Sequence, residues 1–410
     1  MQRSTQVITE SAGPHFAAKR VAAWLYAAAA AAAVLCWQAA TVHFNYSDNW
    51  TALFMTGETH PAPPELAAGT YRFPGSPGYD GQFYRYVAHA PWVRTDWAGY
   101  YDSPRMRQER ILVPAMAWLA AAGQGPFVDA AYIVVVLFWV LLGVHWLGRY
   151  AVLERHHPAW GLLFLLLPAT LTSIDRMTVD VALAALCVAF VLYAKEQSGT
   201  RLYVVLLLAP LVRETGALLL AAQCAHEAAS RRWRRAAGFA TAILPAAAWY
   251  LYVWRRLPAA AVTHPEKLLP HWLFRYPAIG ILMKLFQPVH YPFGPWLNLS
   301  LQCADTLALC ACLALMAAGG WELLRRPWDV EQWAILAFIG LALATSAPGF
   351  WGNVYAYARP FSALIFLAAL RPLRRGAGWV LAPVMLIALR VGLQMAPQAA
   401  GIARGLWHAL

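Results

Sequence analysis

Charge is scarce in this sequence and unevenly signed: 13% of its 410 residues are charged, and 20 acidic side chains face 32 basic ones. With 60% hydrophobic residues and a mean hydropathy of +0.47, the chain lies outside the soluble globular range and belongs with integral membrane proteins. The net charge of +12 comes without a basic stripe or an RNA-type motif, which argues against nucleic acid as the partner. In so apolar a chain it is better read as loop charge that orients membrane spans. Cysteine is also sparse. Cys36, Cys187, Cys224, Cys303, Cys310 and Cys312 all lie in apolar runs without paired CxxC spacing, so they read as small buried side chains rather than disulfides or zinc ligands. His156 and His157 are adjacent and lack the i, i+4 spacing of a helix-borne metal pair. Walker, GxGxxG, GxSxG and HExxH patterns are missing, which removes sequence support for nucleotide hydrolysis, dinucleotide cofactors, serine esterase and zincin chemistry. No secretory signal is evident, because the apolar run 21 to 42 is too long for a signal core and lacks a clear cleavage site. No internal repeat or soluble-domain linker interrupts the chain, so one membrane domain is the simplest account.

What is abundant is apolar sequence. After 21 to 42, apolar runs follow at 111 to 122, 127 to 148, 159 to 174, 178 to 194, 202 to 212, 215 to 225, 236 to 254, 297 to 319, 331 to 347, 354 to 370 and 378 to 396. A helix rises about 1.5 Å per residue and the hydrocarbon core is about 30 Å thick, so 111 to 122, 202 to 212 and 215 to 225 are each too short to cross. Basic residues decide how to place them. If 111 to 122 lies on the outer face and 202 to 225 enters and returns as two half helices, Arg149, Arg155, Lys195, Arg201, the Arg231–Arg235 group, Arg325, Arg326, Arg371, Arg374 and Arg375 all share the cytoplasmic side with Lys19 and Arg20. The expectation is an all-α polytopic protein of about nine full spans plus a pair of half helices. It would have a cytoplasmic segment 1–20, a membrane domain 21–396, helical outer loops 43–110 and 255–296, and a tail 397–410. Twenty Trp, 18 Tyr and 17 Phe suit interfacial aromatic belts.

Ionisable groups in or beside spans are costly, and they mark functional cavities or paired structural contacts. Four clusters fall on the outer side of this topology. The first loop carries Asp48, then Asp80 and Gln82 within Gly78-Tyr-Asp-Gly-Gln-Phe-Tyr, which includes Tyr84, then Asp102 with Arg105, Arg107 and Arg110. Taken singly, these charges read as solvated ion pairs. Taken together, an aspartate between Gly78 and Gly81 and arginines at the mouth of a short apolar helix suit an anionic lipid headgroup, because planar guanidinium donors match phosphate oxygens. The second cluster is Asp175, Arg176 and Asp180; a helix-start role explains Asp175, whereas Asp180 sits inside the next helix. The third, Arg213-Glu214, lies between the half helices and must line a pocket or hold the break together. The fourth is Arg359 before Pro360, either snorkelling to the interface or serving as a further phosphate ligand. Asp305 is an additional cavity candidate.

In order, Gly78-Tyr-Asp-Gly-Gln-Phe-Tyr, Asp102-Ser-Pro-Arg-Met-Arg-Gln-Glu-Arg-Ile-Leu-Val-Pro, Asp175-Arg-Met-Thr-Val-Asp and Arg213-Glu-Thr-Gly resemble a group of bacterial polytopic proteins associated with cell-surface glycopolymer formation. That group is similar to the GT-C superfamily of membrane glycosyltransferases. The match runs from about residue 21 to 370, and its first two motifs are the distinctive ones. The resemblance implies a GT-C-like bundle in the bacterial inner membrane, with an acidic catalytic residue in the first outer loop and polyprenyl-phosphate-linked sugars as donors. Proximity to the first span favours Asp48; the Asp-Gly-Gln run favours Asp80, the preferred base.

The chemistry fits that assignment. A polyprenyl-phosphate sugar already carries its leaving group, so the enzyme needs a base on the acceptor hydroxyl and positive charge on the departing phosphate. Asp80 would be the base, Arg107, Arg110, Arg213 and Arg359 would hold the phosphate, and Tyr79, Tyr84 and Trp92 could stack on a sugar face. No cofactor is required; a divalent Mg or Mn held by Asp80 with Asp48 or Asp102 is an option that spacing leaves open. The acceptor would be a cell-envelope glycan or lipid. Two other readings remain: a glycolipid transporter or flippase, which would show matching charged cavities on both faces, and a non-catalytic subunit of glycopolymer assembly.

Overall fold

A computed structural model describes residues 14–257, 276, 278–345 and 348–409. Part of the expected outer loop 255–296 and most of the segment 1–20 lie outside the described residues. Among the described residues there is no β-strand; two isolated bridges, Thr56 to Gly78 and Gly57 to Phe73, tie the first loop into a compact unit.

Among the described residues, five helices are long and apolar enough to cross a membrane: Ala18–Tyr46, Gly125–Leu153, Trp233–Arg256, Pro295–Leu323 and Gly378–His408. A sixth arises if the pair Pro158–Leu166 and Pro168–Arg176, bent by 67°, counts as one. The nine-span expectation is therefore met only in the coarser sense of a multi-pass helical protein. The reason lies in the segments expected at 178 to 194, 331 to 347 and 354 to 370. They form the shorter helices Asp180–Lys195, Val330–Ala344 and Ser362–Arg374, of about 24, 23 and 20 Å. Two of them are enclosed by protein: every residue from Asp180 to Leu192 is buried, as is every residue from Ser362 to Pro372. A helix enclosed by other helices need not match the bilayer thickness, and its apolar residues carry no lipid-facing stripe.

Proline accounts for the bend at 167. The residue before a proline is pushed out of the α region, and Leu167 is extended at φ −68°, ψ 133° before Pro168 restarts the helix. The half helices of the sequence reading are present as Gly199–Val212 and Ala217–Ala229, broken at extended Arg213. Their far ends meet again, since Gly199 and Leu202 line one cavity with Gln223, His226 and Glu227. The pair is thus a hairpin with Arg213-Glu214 at its tip. The short helix Leu112–Ala120 is likewise present.

The expected tail 397–410 is instead helical through Ala396–Ala409, continuing the Gly378–His408 span and packing against the end of the first helix. There the Asn45 side chain donates to the Gln398 carbonyl at 3.2 Å. The close approach uses Gly401 and Gly405, where a Cβ would stand 1.8 Å from Asn45 Oδ1 and 2.2 Å from the Phe44 ring.

Buried charge collects at both ends of the bundle. The Gly125–Leu153 helix joins them: Asp129, in its second turn, pairs with Arg85 and His89, and Tyr150, near its other end, accepts from Arg374. Those positions are about 32 Å apart along the axis, close to a hydrocarbon thickness. A second network, of Glu154, Lys195, Glu322, Asp329, Glu331, Arg371, Arg374 and Arg375, occupies the far end, where the sequence reading put the basic residues Lys195, Arg371, Arg374 and Arg375.

Candidate functional site

Asp80 opens the helix Asp80–His89 as its first residue, after Tyr79 in extended conformation. The two flanking glycines are needed for different reasons. Gly78 has φ +80°, a left-handed conformation that favours glycine. Gly81 faces the Arg176 carbonyl so closely that a Cβ would stand 2.1 Å from its oxygen. Gln82, expected to touch substrate, instead locks the turn: its side chain accepts from Gly57 N at 3.1 Å and donates to the Pro77 carbonyl at 2.9 Å. The Asp-Gly-Gln run is thus a device for pressing one carboxylate against the bundle.

Five separate segments meet at that carboxylate. Arg107 Nη2 donates to Asp80 Oδ1 at 2.8 Å and to Asp102 Oδ2 at 2.7 Å. Arg359 Nη2 donates to Asp80 Oδ2 at 2.6 Å, while its Nε lies 3.3 Å from Asp180 Oδ2. Asp180 also takes Arg213 from the hairpin tip. Glu214 receives Arg110 through Nε at 3.0 Å and Nη2 at 2.7 Å. Tyr84, fully buried, joins the two halves, because its hydroxyl accepts from Arg107 at 3.0 Å and from Arg110 at 2.8 Å. Its ring is not presented for sugar stacking; it positions arginines. Trp92 is exposed and packs on Trp249.

The charge balance decides what this cluster can do. Four arginines, Arg107, Arg110, Arg213 and Arg359, are matched by four carboxylates, Asp80, Asp102, Asp180 and Glu214. The arginines expected to hold a phosphate are therefore all paired already, and an incoming anion must take the place of a carboxylate. The cluster has room for that exchange. The arginines are 91% buried or more, yet Asp80, Asp102 and Glu214 keep 19%, 39% and 42% of their side-chain surface exposed. Moreover, Arg359 Nη1 has no hydrogen-bond partner among the described residues, whereas Arg359 Nε and Arg213 Nε, without a hydrogen bond, face Asp180 at 3.3 Å and Glu214 at 3.6 Å. Buried donors left open in this way point to a missing ligand or water. Burial pushes the Asp80 carboxyl up, but Arg107 and Arg359 outweigh it and hold the group well below the usual carboxylate range.

No family model, curated protein or solved structure matches this chain. The site must therefore be judged on geometry alone.

The other candidates are placed as follows. Asp48 is 71% exposed and pairs with His43 at 2.9 Å; no ion pair or hydrogen bond among the described residues links it to the cluster. Arg176 lies 4.5 Å over the Tyr79 ring, on which Arg359 also rests at 5.4 Å, so Arg176 borders the site. Asp175 faces elsewhere, held by Arg176 at 3.2 Å and by Gln398 at 3.2 Å. For a cation held by Asp80 and Asp102, the obstacle is Arg107, whose guanidinium sits between the two carboxylates. Among the described residues no group of three or more metal-ligating side chains is found.

Of a neighbouring cluster, sequence reasoning named Asp305 and missed Arg390, Tyr355 and Tyr291. Arg390 donates to Asp305 at 2.8 Å, to the Tyr355 hydroxyl at 2.6 Å and to the Tyr291 hydroxyl at 2.8 Å, and Tyr291 donates to Asp305 at 2.6 Å. The signal was present, since Arg390 is a lone charge within the apolar run 378 to 396.

Proposed function

We propose that the protein is an integral membrane glycosyltransferase that moves a sugar from a polyprenyl-phosphate donor to a cell-envelope glycan or lipid acceptor. The reaction is placed at the Asp80 end of the bundle, which faces outward if the basic end faces the cytoplasm. The observation that carries this reading is the Asp80 carboxylate, 19% exposed at the rim of the cluster and gripped by two buried arginines, one of which has an unfilled donor.

Paired with Arg107 and Arg359, Asp80 is ionised but a weak base, because both cations stabilise its charged form. A donor phosphate engaging Arg359 and Arg107 would draw those cations away from Asp80, raise its proton affinity and ready it for the acceptor hydroxyl. The acceptor oxygen then bonds to the anomeric carbon, and the bond from that carbon to the phosphate oxygen breaks. The hydroxyl proton passes to Asp80, and polyprenyl phosphate leaves with the electron pair, its charge met by the arginines. One displacement inverts the anomeric carbon. Asp102 and Glu214 would release Arg107 and Arg110 as the phosphate enters.

The test is transfer by purified, reconstituted protein supplied with a panel of polyprenyl-phosphate sugars. Asp80→Asn should lower turnover by about 10²–10⁴-fold and Asp48→Asn should leave it within a few-fold; unchanged transfer by Asp80→Asn would sink the proposed base. Buried charge at both ends removes one argument against a flippase. The same vesicles distinguish the two: a flippase equilibrates the labelled lipid across the bilayer without forming a glycosidic product.

A further inference from the structure

The hairpin that delivers Arg213 to the Asp80 cluster stands, at its other end, on a polar chamber of ≈ 290 Å³. Small-molecule sites begin at about 300 Å³, so the chamber has room for a ligand headgroup. Gly199 and Leu202 line it from the first leg, Gln223 and Glu227 from the second, and Arg232 and Arg235 from the start of the span Trp233–Arg256. It lies a hairpin's length from the Asp80 cluster, about 21 Å along the 14 residues of Gly199–Val212.

Three observations bear on what the chamber takes. First, it is electropositive. Glu227, the one carboxylate lining it, is buried and meets Arg232 Nε at 2.6 Å and Arg235 Nη2 at 3.5 Å, while Gln223 donates to it at 3.0 Å. Two cations thus share one acid, and the exposed Arg231 and Arg234 flank them. The nearest other acids are occupied, Glu196 by Arg149 and Arg201 and Asp329 by Arg371. Because the Arg232 and Arg235 side chains are 42% and 57% exposed, an anion can reach their planar donors without displacing a carboxylate, unlike at the charge-balanced Asp80 cluster. Second, Gly199 opens its helix without a side-chain cap, so the free N–H groups and positive dipole end of that helix add to the field. Third, the chamber continues into apolar surface. It shares Gly199 and Arg235 with a groove of ≈ 420 Å³ that runs over Tyr203, Gly238 and Phe239. Trp233–Arg256 is the least buried of the five candidate spans, at 22% of its apolar window, so this groove faces lipid rather than protein. Trp233, exposed beside the four arginines, is placed as an interfacial anchor.

We propose that the feet of the hairpin bind an anionic glycerophospholipid from the leaflet on that side of the membrane, its phosphate on Arg232 and Arg235 and one acyl chain in the Tyr203–Phe239 groove. A free anion has no use for the groove, and an uncharged lipid none for the arginines; a molecule with both parts fills both. Basic clusters at a membrane surface attract anionic lipid by about 1 kcal/mol per residue, and here the chamber adds a fixed geometry. Glu227 and Gln223 keep the Arg232 guanidinium oriented. The bound lipid ties both legs of the hairpin to the neighbouring span, and so steadies the element that carries Arg213 and Glu214. The inference rests on neither the transfer reaction nor its donor, which belong to the opposite end of the bundle.

The experiment is native mass spectrometry of the purified full chain in neutral detergent, titrated with dioctanoyl phosphatidylglycerol, dioctanoyl phosphatidylcholine or glycerophosphoglycerol. Wild type is compared with Arg235→Gln, Gly238→Trp and Asp80→Asn. Arg235→Gln should remain folded, because Glu227 keeps Arg232 and Gln223. Gly238→Trp should also fold, since a Cβ there meets nothing within 4 Å and the indole enters the groove; unfolding temperatures check both. The expected result is saturable binding of phosphatidylglycerol, about tenfold tighter than phosphatidylcholine. Arg235→Gln should weaken it about fivefold, as loss of a half-exposed charge-assisted contact implies, and Gly238→Trp should weaken both lipids. Asp80→Asn should bind as wild type does. Equal binding by Arg235→Gln would overturn the proposal, and so would phosphatidylcholine matching phosphatidylglycerol, which would mark an apolar groove alone. Glycerophosphoglycerol matching phosphatidylglycerol, or Gly238→Trp without effect, would overturn the lipid assignment in favour of a free anion. Loss of binding in Asp80→Asn would move the lipid to the other end of the bundle and overturn the site.

Discussion

The two buried charge networks, one at each end of the bundle, differ in completeness rather than in density. At the Glu331 end, Arg371 reaches Glu322, Asp329 and Glu331, Arg374 reaches Glu154, Glu331 and Tyr150, and Arg375 takes both oxygens of Glu322. None of those side chains has a buried polar atom without a partner. At the Asp80 end, Arg359 Nη1 has no hydrogen-bond partner among the described residues, the Arg359 Nε to Asp180 contact is an ion pair without a hydrogen bond, and three carboxylates are partly exposed. A satisfied network rigidifies the packing of the helices that carry it, whereas an incomplete one holds strain or awaits a ligand. Density of charge, the cue available from sequence, does not separate the two.

That contrast can be broken by experiment. The largest effect is expected from Asp80→Asn, with transfer falling by about 10²–10⁴-fold, the usual worth of a positioned base. Arg371→Met should keep the wild-type rate per folded molecule, as single-turnover measurement on matched folded fractions would check. The same Arg371→Met change should lower stability by about 3 kcal/mol, because it breaks ion pairs to Glu322, Asp329 and Glu331 at once and leaves Glu322 to Arg375 and Glu331 to Arg374. Arg359→Met should cost less, about 1–3 kcal/mol, since Arg107 still holds Asp80 and Arg213 still holds Asp180. Thermal unfolding in detergent tests the pair, and equal losses would erase the distinction between a structural and a binding network.

A smaller effect, on position rather than charge, should follow Gly81→Ala. The added methyl collides with the Arg176 carbonyl and should destabilise by about 1–3 kcal/mol while displacing Asp80. Transfer should then fall more than the stability loss explains, whereas a glycine change remote from Asp80, such as Gly238→Ala, should alter neither. The smallest effect is the pH response. Asp80 is depressed in the folded protein, so its ion pairs stabilise fully above its unfolded pKa of about 3.9 and are lost only as pH falls through the lower folded value. Unfolding measured between about pH 5 and 8 should therefore show no component removed by Asp80→Asn, because the group keeps its charge in both states there.

Much of the helical framework was legible. Apolar run length located the long helices, and the too-short runs at 202 to 212 and 215 to 225 marked the hairpin that delivers Arg213. The glycine-flanked aspartate was legible as well. The roles of its neighbours were not. Gln82 and Tyr84 looked like substrate contacts because polar and aromatic side chains beside an acid do, and only the fold shows one bracing a turn and the other fixing two arginines. At Asp180–Lys195 and Ser362–Arg374, hydropathy cannot tell a helix facing lipid from one enclosed by protein.

Sequence by itself determined the class of the molecule, since 60% apolar residues in runs of helical length have no soluble alternative, and it determined that each buried charge must find a partner. Tertiary structure alone decided which partner. Asp80, Asp180, Arg213 and Arg359 span 280 residues of chain, and any of the arginines could have neutralised any of the acids. Coulomb attraction in a low-dielectric interior demands pairing but is indifferent to sequence separation, so the packing of the central helices chose both the pairs and the donor left open at Arg359.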